Sequence, residues 1–173
     1  IMSNFVKQKT IVNTVSCYGK GVHSGCKVNM TLKPAEENTG IVFKSVHEKD
    51  KNNIIEIKVD NISEKAQLNS IITNHEGVDV MTIEHLLSAI YFADIDNIIV
   101  EVDNVEVPLL DGASENFLFL LHMAGLKEQN APRVIYHIEK EVMVKYDDNQ
   151  QFFCKIEPAN QLEIDCSVDY GLA

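Results

Sequence analysis

The 173-residue chain is 45% hydrophobic and 24% charged, a balance that allows one sizeable soluble domain, or a small one plus part of another, and excludes a disordered tail or a disulfide-dense miniprotein. Its formal net charge of -11, with 15 Lys and Arg scattered among 26 Asp and Glu, argues against a nucleic-acid partner, because phosphate recognition needs clustered cations. Apolar runs such as Phe117 to Leu121 are far too short for a bilayer span and IMSNFVKQKT has no apolar signal-peptide region, so the sequence predicts no transmembrane segment and a cytoplasmic location.

From Lys9 to Phe43 the pattern is strand-like, running through TIVNTVSCYG, CKVNMTLKP and GIVFKS, with Val28, Met30 and Leu32 on one face of an alternating run. Turn residues separate these runs: GKGVHSG (19–25) is rich in glycine, and Glu37-Asn38-Thr39-Gly40 predicts a hairpin connection. HEKDKNN (47–53) reads as an exposed loop before IIEIKVD resumes the alternation. Over 80–94 the period changes to that of a helix, with Ile83, Leu86, Leu87, Ile90 and Tyr91 on one stripe and Thr82 as the natural N-cap. NIIVEVD (97–103) predicts a strand, Asp111-Gly112 a turn, and Ser114 the cap of a second helix that carries Phe117, Leu118 and Leu121 and ends at Gly125.

This order predicts an α+β fold over residues 1–128, an antiparallel sheet layered against two helices. EQNAPR (128–133) reads as a linker broken by Pro132, followed by strand-like VIYHIEK, EVMVKY, a DDNQ turn, QFFCKIEP and LEIDCSVDY. Leu32-Lys33-Pro34-Ala35 recurs loosely as Ile156-Glu157-Pro158-Ala159. The recurrence is a faint sign of duplication, on which residues 129–173 are expected to be the linker and opening strands of an incomplete second copy, stopping before its helices. A half-built sheet of this kind would expose an apolar face and open edges, and so favour self-association. The four cysteines, Cys17, Cys26, Cys154 and Cys166, show no C-x-x-C spacing and are expected to be reduced and mostly buried.

The sharpest chemical signal is the acid and imidazole side by side in TIEHLLSAI (82–90). Successive helical residues turn about 100°, which puts Glu84 at the edge of the apolar stripe and turns His85 largely away from it. The pair cannot chelate a metal in the manner of H-E-x-x-H, and Met81 stands where H-x-x-E-H needs its first His. A helix start nevertheless favours ionised Glu and neutral His, the forms needed by a general base and a metal ligand. By spacing alone, a solvated Glu beside a surface His remains the commoner arrangement. His23, in a glycine-flanked loop where backbone can approach a ligand, is a second candidate. Asp111 is a third, although Asp before Gly ahead of a helix is usually a turn residue. His47, His75, His122 and His137 show no ligand spacing.

Taken together and in order, GKGVHSG, KPAEENTGIVF, TIEHLLSAI and IDNIIVEVDNVEVPLLDGAS resemble the UDP-3-O-acyl-N-acetylglucosamine deacetylases, the zinc amidases of bacterial lipid A biosynthesis. The resemblance covers about residues 7–128 and extends more weakly to 169. It implies two domains, each a sheet against a pair of helices, with the active site between them. It implies that Glu84 is the general base and His85 a zinc ligand. Leu68, Asn69 and Ser70 would border the mouth of the site, His23 would lie on a loop beside it, and Asp111 would support a turn. Asn69 and Ile71-Ile72 depart from the family's Thr-rich stretch. In such a site zinc lowers the pKa of a bound water while the carboxylate takes its proton. The substrate implied is a UDP-amino sugar carrying an acyl chain. The family's other zinc ligands, a His and an Asp, and its general-acid His, oxyanion-stabilising Thr and substrate-binding Lys belong to the second domain beyond residue 173. This chain alone is therefore expected to bind zinc poorly and to lack full activity. The competing readings are a non-catalytic α+β module that keeps the fold for binding, and a generic domain whose Glu-His pair is incidental.

Overall fold

The computed structural model describes residues 5–146, 152–169 and 171. The chain divides into two compact units, Ile1–Arg133 and Val134–Ala173. In chain order the first unit contains β1 (Lys7–Ile11), β2 (Val15–Lys20), β3 (Lys27–Pro34), β4 (Ile41–Ser45), β5 (Ile54–Glu56), a 3-10 turn (Val59–Asn61), β6 (Ile71–Thr73), β7 (Asp79–Met81), α1 (Glu84–Phe92), β8 (Ile98–Val102), α2 (Glu115–Ala124) and β9 (Leu126–Pro132). Its main sheet has the order β2-β3-β8-β4-β5, and β1-β9 and β6-β7 form two-stranded antiparallel pairs. The α+β architecture expected from the sequence is present.

The core follows from periodicity. β3 sends Val28, Met30 and Leu32 inward while β8 does the same with Ile98, Val100 and Val102. Leu86, Ala89 and Ile90 of α1 and Phe117, Leu121 and Ala124 of α2 complete one continuous cluster with Phe43 and Ile55. Each large side chain buried this way contributes roughly 1.5–3 kcal/mol.

Several expectations are corrected. Glu37–Gly40 is not a hairpin connection, because β8 lies between β3 and β4 and runs parallel to β4. Asn38 and Gly40 take the positive φ that reverses the chain, but turn residues dictate a reversal and not which strand fills the gap. The helix spans 84–92 and not 80–94, since Val80 lies in β7 and Thr82 adopts φ +58. The N-cap position is Ile83, and no side chain caps the helix. Tyr91 is 61% exposed and stacks edge-on against Phe92 instead of joining the stripe. Ser114 occupies the second N-cap without a side-chain bond, whereas Gly125 ends α2 at φ +73 as expected.

The expected linker at 128–133 is mostly strand. β9 pairs with β1, burying Gln129 and Ala131. The Gln129 amide donates to Ala35 O and accepts from Asn97, so a polar side chain serves as an inward strand residue. Pro132 ends β9, and its carbonyl accepts from Gln8. Arg133, the last residue of this unit, donates to Asp96 through Nε and Nη2 at 2.7 Å each, to Asp94 O through Nη2 at 2.8 Å, and to the Asp94 carboxylate through Nη1. Cys17 is half-buried, but Cys26, Cys154 and Cys166 are exposed free thiols, against the expectation that most would be buried.

In the second unit β10 (Val142–Lys145) pairs antiparallel with β11 (Phe153–Ile156), Val142 facing Ile156 and Lys145 facing Phe153. The strand-like runs at 134–140 and 162–169 form no strands, because alternation becomes a strand only where a neighbouring edge is offered. The DDNQ turn lies outside the described residues. No helix among the described residues is long and apolar enough to cross a membrane.

Candidate active site

The antiparallel β6-β7 pair returns the chain to the start of α1, placing residues 69–70 beside 82–84. Thr82 N-H donates to Ser70 O at 2.8 Å, and Ser70 N-H donates to Glu84 Oε2 at 3.0 Å. The Asn69 amide donates to the Thr82 hydroxyl at 3.0 Å. Glu84 and His85 are the first two residues of α1 and both are half-buried. The Ser70 bond fixes one oxygen of the Glu84 carboxylate at the start of the helix.

The left-handed φ of Thr82 turns its hydroxyl away from the helix and onto Glu106, whose Oε1 accepts it at 2.8 Å. Glu106 is only 1% exposed, yet it is a carboxylate. Its oxygens also accept the backbone N-H groups of His23 at 3.1 Å and Ser24 at 2.7 Å. Burial pushes its pKa up, but hydrogen bonds from the Ser24 hydroxyl, from the Ser24 and His23 amides and from Thr82 outweigh burial and hold the group below the usual glutamate value. Met81 exchanges backbone bonds with Val105 and Val107, so the segment carrying Glu106 is laced directly, as an isolated bridge, to the strand that feeds α1. Gly21 is required here: a Cβ would lie 2.1 Å from Glu106 Oε2.

The expected residues therefore fall into two sets. Glu84, Ser70 and the His23 backbone are joined, through Thr82 and Glu106, into one hydrogen-bonded chain, and His85 sits next to it. Asp111 stands outside that chain; it is exposed, and its carboxylate accepts Ala113 N-H at 3.0 Å as the turn residue ahead of α2. Leu68 is 87% exposed and adds only apolar surface next to Asn69. Ile71 and Ile72 are buried in β6 and so belong to the core. Sequence reasoning missed Glu106, because flanking valines at 105 and 107 make it read as the outward residue of an alternating strand. It assigned Thr82 to a cap because only the φ of the folded chain shows otherwise.

Among the described residues, no group of three or more His, Cys, Asp or Glu side chains is placed to hold a metal ion. The described residues do not by themselves complete a zinc site around His85, which would take three or four protein ligands. A cavity lined by Thr10, Ala35, Lys127 and Gln129 among others contains none of the residues of the hydrogen-bonded chain. It lies along β1 and β9 and does not include Glu84 or His85 in its lining.

Residues 8–172 match the protein family described as LpxC, UDP-3-O-acyl N-acetylglycosamine deacetylase. The UDP-3-O-acyl-N-acetylglucosamine deacetylase of Pseudoalteromonas atlantica is 40% identical over 165 residues, covering 95% of this chain and 53% of that protein. The enzymes of the same description from Hamiltonella defensa and Nitratiruptor are each 37% identical, over 95% of this chain and 52% and 53% of their own lengths. The chain spans about half the length of the curated relatives it matches.

Proposed function

This chain belongs to the LpxC family of UDP-3-O-acyl N-acetylglycosamine deacetylases, and from that premise we propose that it carries the general-base part of a zinc-dependent amidase site. Glu84 is the proton acceptor and His85 one of the zinc ligands. His23, Leu68 and Ser70 border the substrate, and Asp111 shapes the turn into α2. The substrate is a UDP-amino sugar bearing an acyl chain, and the bond broken is that of its acetamide, in the lipid A pathway of a bacterial cytoplasm.

The observation that carries this reading is the Glu84 carboxylate held at the helix start by Ser70 N-H at 3.0 Å with the half-buried His85 next to it. A general base must be oriented before it reacts, and a carboxylate with one oxygen tied can offer the other to a proton. The two side chains leave the helix about 100° apart, so one can bind a metal while the other serves as base without competing for it. The remaining zinc ligands would come from the part of the family's length that this chain does not span. By itself the chain is not expected to hold zinc tightly or to turn over substrate. The β10-β11 hairpin is proposed as the opening of a second domain resembling the first, and its exposed apolar side chains as a route to self-association.

The test is to join this chain to the complementary segment of the Pseudoalteromonas atlantica enzyme and to measure acetate release with and without zinc. Zinc-dependent release is expected. Glu84→Ala should cut kcat by about a hundredfold or more with zinc content unchanged, whereas His85→Ala should lose the zinc. Undiminished turnover in Glu84→Ala refutes the assigned base. A folded, joined protein that releases no acetate favours the non-catalytic binding module.

A further inference from the structure

Among the described residues Glu106 is the only buried carboxylate. Its oxygens are fully engaged: Oε1 accepts His23 N-H and the Thr82 hydroxyl, and Oε2 accepts Ser24 N-H. The donors come from two separate places, the glycine-flanked loop 21–25 and the joint between β7 and α1. A role confined to packing would be served better by an apolar side chain between Val105 and Val107, since a buried charge carries a desolvation penalty that only specific donors offset. The loop is drawn onto the carboxylate as closely as its backbone permits, since at Gly21 even a Cβ would collide with Oε2 and with Ser24 Oγ.

We infer that Glu106 is a positioning residue that locks the His23 loop against the Thr82 joint from which Glu84 and His85 emerge. From Glu106 the connection runs to the Thr82 hydroxyl, then from Thr82 N-H to Ser70 O, and from Ser70 N-H to the Glu84 carboxylate. The loop and the proposed base therefore share one rigid reference. Glutamine cannot replace the group, because an amide would turn an NH2 toward one of the two backbone N-H donors. What is positioned rests on the deacetylase reading; the brace itself does not.

Two measurements separate these. In the 173-residue chain, Glu106→Gln should speed amide exchange at His23 and Ser24 at least tenfold while leaving Ile98 and Val100 of β8 at the wild-type rate. Unchanged exchange in the loop overturns the brace. In the joined protein, Glu106→Gln should raise KM at least fivefold with a smaller change in kcat, because the loop moves and the base does not. A merely structural defect removes folded molecules, which lowers apparent kcat and leaves KM alone. That outcome with an intact fold in the survivors overturns the positioning role. If Glu106→Gln does not fold, Thr82→Val, which removes one hydroxyl and keeps the shape, should show the same exchange pattern at His23 and Ser24 to a lesser degree, and its absence overturns the brace equally. A wild-type joined protein without activity refutes the deacetylase reading alone, and the exchange result still decides the brace.

Discussion

The two units of this chain use similar apolar residues to opposite ends. Before Arg133, Phe43, Phe117, Ile90 and Leu121 are completely buried between a five-stranded sheet and two helices. After it, Tyr136 and Tyr146 are 88% and 90% exposed, and Val144, Phe153 and Ile164 also face solvent. The contrast teaches that a hydrophobic strand pattern is necessary for a core and not sufficient. A sheet face is stabilised only by a second layer, and the described residues of the second unit contain one hairpin and no helix. An isolated two-stranded hairpin is marginal in water.

The largest effect should come from cutting the chain after Arg133. The first piece is expected to unfold cooperatively, with a midpoint within a few degrees of the intact chain, while residues 134–173 alone show no cooperative transition by circular dichroism. Protected amides in β10 or β11 of the isolated piece would break the comparison. Next in size, Phe117→Ala should lose about 3–5 kcal/mol in urea unfolding, against about 0.5 kcal/mol or less for Phe153→Ala. Equal losses would mean that the hairpin is covered in solution.

A third substitution tests where the first unit ends. Arg133 clamps Asp94 and Asp96, and its side chain is largely buried, so Arg133→Ala should cost about 1–3 kcal/mol. Burial raises the pKa of Asp94, but hydrogen bonds from Lys9 and Arg133 and their charges prevail and lower it. A carboxyl with a depressed folded-state pKa contributes stability that is present above its unfolded value and lost as pH falls through the folded one. Wild-type stability should therefore decline below about pH 4, and Arg133→Ala should flatten that decline. An unchanged acid limb would mean that the clamp is not what secures β9.

Most of the first unit was legible because its signals are local. Alternation in β3 and β8 and the 3.6-residue stripe of α2 require only their own residues. The parts that were not legible depend on partners distant in sequence. β9 is polar and reads as a linker until Asn97 and Ala35 supply bonds for Gln129. The Glu37–Gly40 reversal gives no hint that β8 will enter beside it. At the site, the family motifs pointed to Glu84, His85 and His23, while Glu106 was hidden because a charged residue between valines gains its meaning only when the loop amides arrive. The assignment of Thr82 failed for the same reason: its hydroxyl had two possible uses, and the nonlocal one prevailed.

The finest probe of the contrast leaves the fold untouched and reads the thiols. Burial pushes the Cys17 thiol up to about 11, so at pH 8 only roughly one molecule in a thousand carries the reactive thiolate there. Cys26 is exposed on the first unit, and Cys154 and Cys166 are exposed on the second. A maleimide pulse followed by mass spectrometry should label those three together and Cys17 at least about tenfold more slowly. Cys26 matters as the internal control, since it shows that slow labelling belongs to burial and not to the first unit as a whole. Slow labelling of Cys154 or Cys166 beside a fast Cys26 would reveal shelter in the second unit that its own residues do not provide, and loss of that shelter on dilution would identify a second copy of the chain as its source.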